Sequence, residues 1–534
     1  MNRAMDLRVR FLFAIPVPYQ VPYRFAGRRS QDAHPTRGGR PPCDTRGMEL
    51  NPAARDPRRR AWILAAASLG AFVATFTGTA VNVALPSLAK AFDVPFAAVQ
   101  WVVLAYLLTT AALMPIVGRI ADMVGKRVVL LAGFAIYAGA TLAAGLAPDL
   151  TWLIAFRLIN GVGSAILTSI GLAIVTDVFP AAQRGRAIGI NGAVLSIGVV
   201  IGPTLGGFLV DLGWRFVFLA GAPVALAGLL LAAFAVPSYP AGERQRFDLP
   251  GALLLSALLA SGSLALTLAP ERGAFDPWIV AATLLVIVGT PAFLAWERRT
   301  AQPVLDLTLF RNAELSMGLV IALGVFVSIA GTIFVMPFYL EDVLGLAPRN
   351  VGLLMSVTPI LLVIVAPLAG SLADRFGARR VTVAGLAFAF IGFSLVSTLE
   401  ADTTALGFVL RFVFVGLGMA TFQTPNNTAI MGSAPDGRSG VTGALLGLTR
   451  AFGQSGGIAV LGTFWAARVV ARAGGEAGDV GQAVLTQARV GAVHDVMHVV
   501  QVLVAASLAI AVWDLWRRSA RRAGTVGVTP AAHD

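Results

Sequence analysis

GRIADMVGKR, running from Gly118 to Arg127, is matched by GSLADRFGARR from Gly370 to Arg380. Gly118, Asp122 and Gly125 map onto Gly370, Asp374 and Gly377 at an offset of 252, and the preceding PIVG (Pro115–Gly118) matches PLAG (Pro367–Gly370). Nearly the same spacing pairs Pro86 with Pro337, Arg157 with Arg411, and GPTLGG (Gly202–Gly207) with GQSGG (Gly453–Gly457). One ancestral half is present twice.

The sequence around this repeat is 57% hydrophobic and only 13% charged over 534 residues, with a mean hydropathy of +0.77. A soluble domain carries roughly 25% charged residues. Apolar stretches recur along the chain, each long enough to cross about 30 Å of hydrocarbon as a helix, and too unbroken for barrel strands. The fold class is therefore an all-α polytopic membrane protein. Fourteen spans are predicted, near 62–86, 98–118, 128–147, 151–176, 187–210, 216–236, 250–269, 277–296, 315–340, 350–370, 381–399, 404–430, 441–467 and 493–516. Both copies of the loop motif follow a span crossing in the same direction, so the halves are parallel repeats. The offset covers eight spans, which makes the pair near 250–296 extra to a plan of six plus six. The resulting domains are a half at 61–240, two additional helices at 250–297, a second half at 313–516 and a tail at 517–534.

Lys and Arg crowd one set of connectors: Arg119, Lys126, Arg127, Arg184, Arg186, Arg375, Arg379 and Arg380 among them. The opposite set carries few, including Lys90 and Arg349. This bias places both termini in the cytoplasm. Residues 1–60 are rich in Arg and Pro and read as a disordered cytoplasmic tail, with Met48 as an alternative translation start. The segment RFLFAIPVPYQVPYRF is interrupted by prolines and does not read as a signal peptide. The net charge of +13 would suggest nucleic acid in a soluble chain; here it serves topology, and no nucleic-acid partner is expected. A lone Cys43 excludes an intrachain disulfide framework, and four histidines in all give no credible metal site. With no phosphate-binding loop and no nucleophile elbow, the sequence reads as no enzyme, without a cofactor.

From about residue 60 to 516 the chain resembles the fourteen-helix drug/proton antiporter group of the major facilitator superfamily. The resemblance rests on TAVNVALP in the first span, GRIADMVGKR after the second, FRLINGVG in the fourth, GVVIGPTLGG in the fifth and PVLDLTLFR before the ninth. It implies a monomeric, multi-pass transporter of a bacterial inner membrane, two halves rocking around a small-molecule substrate, membrane lipid around them, and protons as the coupling ion.

The motifs have their own chemistry. The loop glycines permit a sharp turn, while Asp122 and Asp374 can cap a helix and pair with Lys126, Arg127 or Arg375. By the resemblance they latch the halves on the cytoplasmic side; a basic connector serving topology alone is the plainer reading. Gly198, Gly202 and Gly206 form one smooth helix face, Pro203 invites a bend, and Gly207 follows. The resemblance makes this the antiporter motif of exporters, while ordinary small-residue packing explains the glycines equally.

Arg157, Asn160, Ser164 and Thr168 make a polar stripe on the fourth span, and Arg450 with Gln454 another on the thirteenth, continuing Gly443 and Gly447. Such stripes should face a water-filled cavity, unless the arginines snorkel or bond neighbouring carbonyls. Gln423, Asn426 and Asn427 surround Pro425 in a proline-broken stretch that lines a cavity or ends a helix at the interface; Asn82 has the same two readings. Thr77 stands where the resembling group commonly carries an aspartate. A threonine cannot titrate, so coupling falls to Asp177, Glu341, Asp342, His494, Asp495 or His498, or is absent. The expected function is export of small amphipathic or lipophilic compounds, proton-driven. The alternatives are a narrow metabolite exporter or uniporter without proton coupling, and a transport-dead membrane sensor or scaffold.

Overall fold

The computed structural model describes residues 56–237, 248–273, 275–300, 303–304, 307–433, 439–474 and 481–525. The proposed tail up to residue 55 and Met48 lie outside them. The first helix, α1, is Pro57–Phe92. Its start lies inside the predicted tail because Asp56 accepts from the Arg58 N–H at 2.9 Å and Pro57 occupies the first turn, where a missing N–H costs nothing. There follow α2 Trp101–Val124, α3 Lys126–Gly145, α4 Leu150–Val178, α5 Ala181–Leu212 and α6 Gly221–Ala235. An additional hairpin is made of α7 Leu249–Arg272 and α8 Pro277–Glu297. The second set comprises α9 Ala313–Phe338, α10 Val357–Phe376, α11 Ala378–Val396, α12 Ala405–Gly432, α13 Ser439–Gly457 and α14 Gln482–Thr525. Short helices Pro348–Met355 and Thr463–Ala473 extend α10 and α13, the latter through a π-helical turn, Ile458–Gly462.

Among the described residues, twelve helices are long and apolar enough to cross a membrane. The apolar part of α7, Pro250–Leu266, is shorter, and α13 is not among the twelve. Two expectations need correction. The helix α12 runs unbroken through Pro425, so that proline does not break its span. The last helix overruns 493–516 at both ends; Asp495 is clamped there by Arg468 at 2.6 Å and Arg472 at 2.8 Å from the preceding helix, and the expected tail is helical to Thr525.

The glycine of each loop motif has a local reason. Gly125 is the single residue between α2 and α3, with φ +104°, and Gly377 is the single residue between α10 and α11, with φ +89°. A side chain strains in that region and glycine does not. Helices α1 to α6 pack among themselves, α9 to α14 do likewise, and α7 lies against α2 with its side also touching α13 and its extension. The largest apolar cluster joins both sets, bringing Leu88, Val99 and Val102 together with Phe334, Met336 and Phe338. Around Val129 and Ile170 the first set has a cluster of its own, and the second set has a separate one around Ala369 and Val381.

Candidate functional site

The closest helix contacts are made by glycines, because only they let backbones meet. A Cβ at Gly198 or Gly202 would collide with Thr75 or Thr79 of α1, and one at Gly206 would stand 2.9 Å from the Ala80 Cα. In the second half, Gly453 and Gly457 of α13 lie in the same way on Phe326 and Val327 of α9. The α5 motif has a second face. A Cβ at Gly207 would strike the Pro348 carbonyl, and Gly352 abuts the Pro203 carbonyl, so the helix also touches the opposite half. Thr204 and Ser356 share a hydrogen bond of 2.5 Å beside this crossing.

The crossing sits at one end of the molecule, marked by Lys90. There the Lys90 ammonium lies 2.8 Å from Glu341 and 2.9 Å from Asp342, and Arg489 reaches Asp342 at 3.5 Å. Phe96 stacks edge-on against Phe334 and Phe338, with centroids at 5.1 and 4.7 Å, and contacts Trp465 at 4.7 Å. The Gln100 amide reaches Thr463 at 3.5 Å. Aromatic packing and paired charge together close the two halves here.

At the opposite end the loop motifs are held within their own halves. Lys126 pairs with Asp177 at 2.5 Å, and Arg127 donates to the Ala233 carbonyl at 2.8 Å. Arg379 pairs with Glu314 at 3.2 Å and Asp514 at 3.3 Å. Asp374 and Arg375 are exposed, and a Cβ at Gly118 would meet nothing within 4 Å. The Asp122 side chain lies outside the described residues.

Three members of the stripe on α4 do not face water, while Thr168 is partly exposed. Arg157, Asn160 and Ser164 are buried, because Gly161 and Gly163 draw α2 and α3 close enough to leave no gap: a Cβ at Gly161 would stand 2.8 Å from the Tyr106 carbonyl. Arg157 donates to the Val102 carbonyl at 2.9 Å and to Asn160 at 3.0 Å, and its guanidinium lies 4.1 Å from the Tyr106 ring centroid. Asn160 donates to Thr141 at 2.7 Å, and Tyr106 shares a 2.7 Å bond with Ser164. Thr77 is also fully buried, packed towards Gly221 of α6. Asn426 is buried too and donates to the Gly318 carbonyl at 3.3 Å. These groups tie each half together internally.

The remaining polar candidates are partly exposed: Asn82, Gln423, Asn427, Arg450 and Gln454. Asn82 Oδ1 and Arg450 Nε are enclosed without a hydrogen-bond partner. The sequence reading overlooked Lys90 as a partner of Glu341, although the repeat carried the signal: the two are 251 residues apart, the spacing of Pro86 and Pro337. It also overlooked Gly352, for which no local pattern exists.

A family model described as Major Facilitator Superfamily matches residues 67–459. The chain is 32% identical to a riboflavin transporter of Clostridioides difficile, covering 76% of this chain and 89% of that protein. It is 34% identical to the multidrug resistance protein Stp of Mycobacterium tuberculosis, covering 76% and 75%. Against the tetracenomycin C resistance and export protein of Streptomyces glaucescens it is 31% identical, covering 77% of each. Among solved structures, a bacterial homologue of the human lysosomal transporter Spinster, inward-facing and unoccupied, superposes with a TM-score of 0.62 at 19% identity, over 85% of this chain and 97% of that one. The packing of two helix sets, the glycine seams and these likenesses agree: the chain belongs to the major facilitator superfamily and is a multi-pass membrane transporter, not an enzyme.

Proposed function

We propose that this transporter exports small amphipathic or lipophilic compounds by alternating access, as a monomer in a bacterial cell membrane with both termini cytoplasmic and fourteen spans. The observation that carries the reading is the asymmetry of the two ends. Under the positive-inside rule the Lys90 end is extracellular. Closure there, with Asp374 and Arg375 exposed at the other end, describes an inward-facing state. In the opposite state the loop motifs are the groups placed to meet, which is the latch role assigned to Gly118, Asp122, Gly125, Lys126 and Arg127, and to Gly370, Asp374, Arg375 and Gly377. Names of relatives support export, through multidrug resistance and tetracenomycin C resistance. A riboflavin transporter among them supports a narrower substrate range.

Proton coupling needs a titratable group that substrate or conformation can reach. Asp177, Glu314, Glu341, Asp342, Asp495 and Asp514 all stand beside basic partners, and Thr77 fills the position of the family acid. This favours the second reading, an exporter without proton coupling. Purified protein in liposomes with a trapped pH dye separates the two. Compound-driven proton flux would establish coupling, flux of compound alone would establish the uncoupled carrier, and no movement of any compound would overturn export.

A further inference from the structure

Arg450 is the unusual charge in this molecule. It stands eleven residues into α13, about 16 Å along the helix axis at 1.5 Å per residue, which is mid-depth in a bilayer of about 30 Å. Its Nε is enclosed and has no hydrogen-bond partner. Among the described residues no carboxylate pairs with it, and its guanidinium lies over the Phe326 ring, 5.5 Å from the centroid. A ring supplies part of the attraction that a counter-ion would, and a cation left so deep is costly. Arg157, by contrast, holds a carbonyl, an amide and a closer ring, with its Nη2 left unpartnered. Arg379, Arg468 and Arg472 each hold carboxylates near helix ends.

There is room beside Arg450. A Cβ at Gly447, one turn earlier, would meet nothing within 4 Å, and Gln454, one turn later, is partly exposed. Among the described residues the acids of the spans lie towards their ends, so the potential near Arg450 is set by a cation with no carboxylate beside it. Such a site draws anions and repels cations.

We propose that Arg450 is the substrate-binding group of the transport pathway and that the substrates are lipophilic anions, carrying a carboxylate, sulfonate or similar acid beside an aromatic body that Phe326 contacts. This deepens the export reading and rests on it. An anionic substrate also supplies a driving force without a titrating acid: an inside-negative potential of 100 mV expels a single negative charge about fiftyfold.

The test uses the full chain in liposomes and three probe sets on naphthalene, anthracene and pyrene, each as an alkyl carboxylate, its primary amide and the matching amine. Saturable, protein-dependent flux is read with and without a valinomycin-set potential. Carboxylates should move at least tenfold faster than the amines, faster still when the potential is negative on their own side. Arg450→Gln should abolish that preference while amide flux persists, and Arg450→Lys should retain most of it. Transport of amines or amides as fast as carboxylates, or carboxylate flux unchanged in Arg450→Gln, overturns the anion site and leaves export standing. Absence of protein-dependent flux for every probe overturns both. Even if neither variant folds, the selectivity of the unmodified protein tests the anionic substrate class.

Discussion

Helix α5 on α1 and helix α13 on α9 are the same contact built twice. Gly202 and Gly206 press on Phe76 and Ala80; Gly453 and Gly457, 251 residues later, press on Phe326 and Val327. The differences are in what each seam adds. On α5, Pro203 and Gly207 reach across to Gly352 and Pro348 of the opposite half. On α13, the counterpart of Gly198 is Thr449, which bonds its own helix at Leu445, 2.9 Å, and the next residue is Arg450. Backbone approach is what the repeat preserved. The gating contact and the binding charge lie where the copies diverge.

The comparison breaks most visibly at the glycines. Gly206→Leu puts a side chain where backbone stands 2.9 Å away, and overpacking of that kind costs about 1–3 kcal/mol or more. Transport should fall at least tenfold while the protein still reaches the membrane, and Gly457→Leu should do the same. A harmless Gly457→Leu, measured by flux in liposomes, would show that the two seams are not equivalent. Next in size is Asn160→Ala, which removes the acceptor of Arg157 Nη1 and the donor to Thr141; a buried unmet donor costs about 1–3 kcal/mol, so the melting temperature in detergent should drop. Arg450→Gln should leave that temperature unchanged or raise it. Equal losses from both would mean that Arg450 has a partner after all.

Smaller effects belong to the charged ends. Lys90→Glu places three carboxylates together, and combining it with Glu341→Lys should restore closure. The readout is alkylation of a cysteine at Ser356 in a Cys43→Ser background. Lys90 is largely exposed although its carboxylates are not, and a pair with one solvated partner contributes on the order of 1 kcal/mol, so a rise of roughly fivefold in alkylation rate is expected, reversed in the double variant. Smallest of all is Asp374→Asn. Its carboxylate is exposed in this state, and a change of roughly twofold in transport rate is expected from a solvated charge; a complete loss would show that the latch governs every cycle.

Much of this was legible from the chain. The glycine register on α5 and the helix-to-helix turns at Gly125 and Gly377 follow from residue type and spacing, because backbone sterics are local. Arg157 was misread for the opposite reason. A polar stripe looks the same whether it meets water or a neighbouring helix, and only the approach set by Gly161 and Gly163 distinguishes the two. Pro425 was misread as a break because helix continuity depends on what packs around the proline, which the sequence does not state. Arg450 read as one of three arginines inside spans, with Arg157 and Arg411, and that no carboxylate among the described residues pairs with it depends on how distant helices pack.

Lys90 and Glu341 point to the history of the chain. They occupy matching places in the two copies, yet they touch. Contact between equivalent positions means that both lie near the axis relating the halves. In a symmetric dimer of identical subunits a residue at such an axis faces its own duplicate. Two lysines would repel there, and so would two glutamates. Opposite signs at equivalent places require two copies that differ in sequence. The ion pair that closes this end is thus a contact that a homodimeric ancestor could not have made.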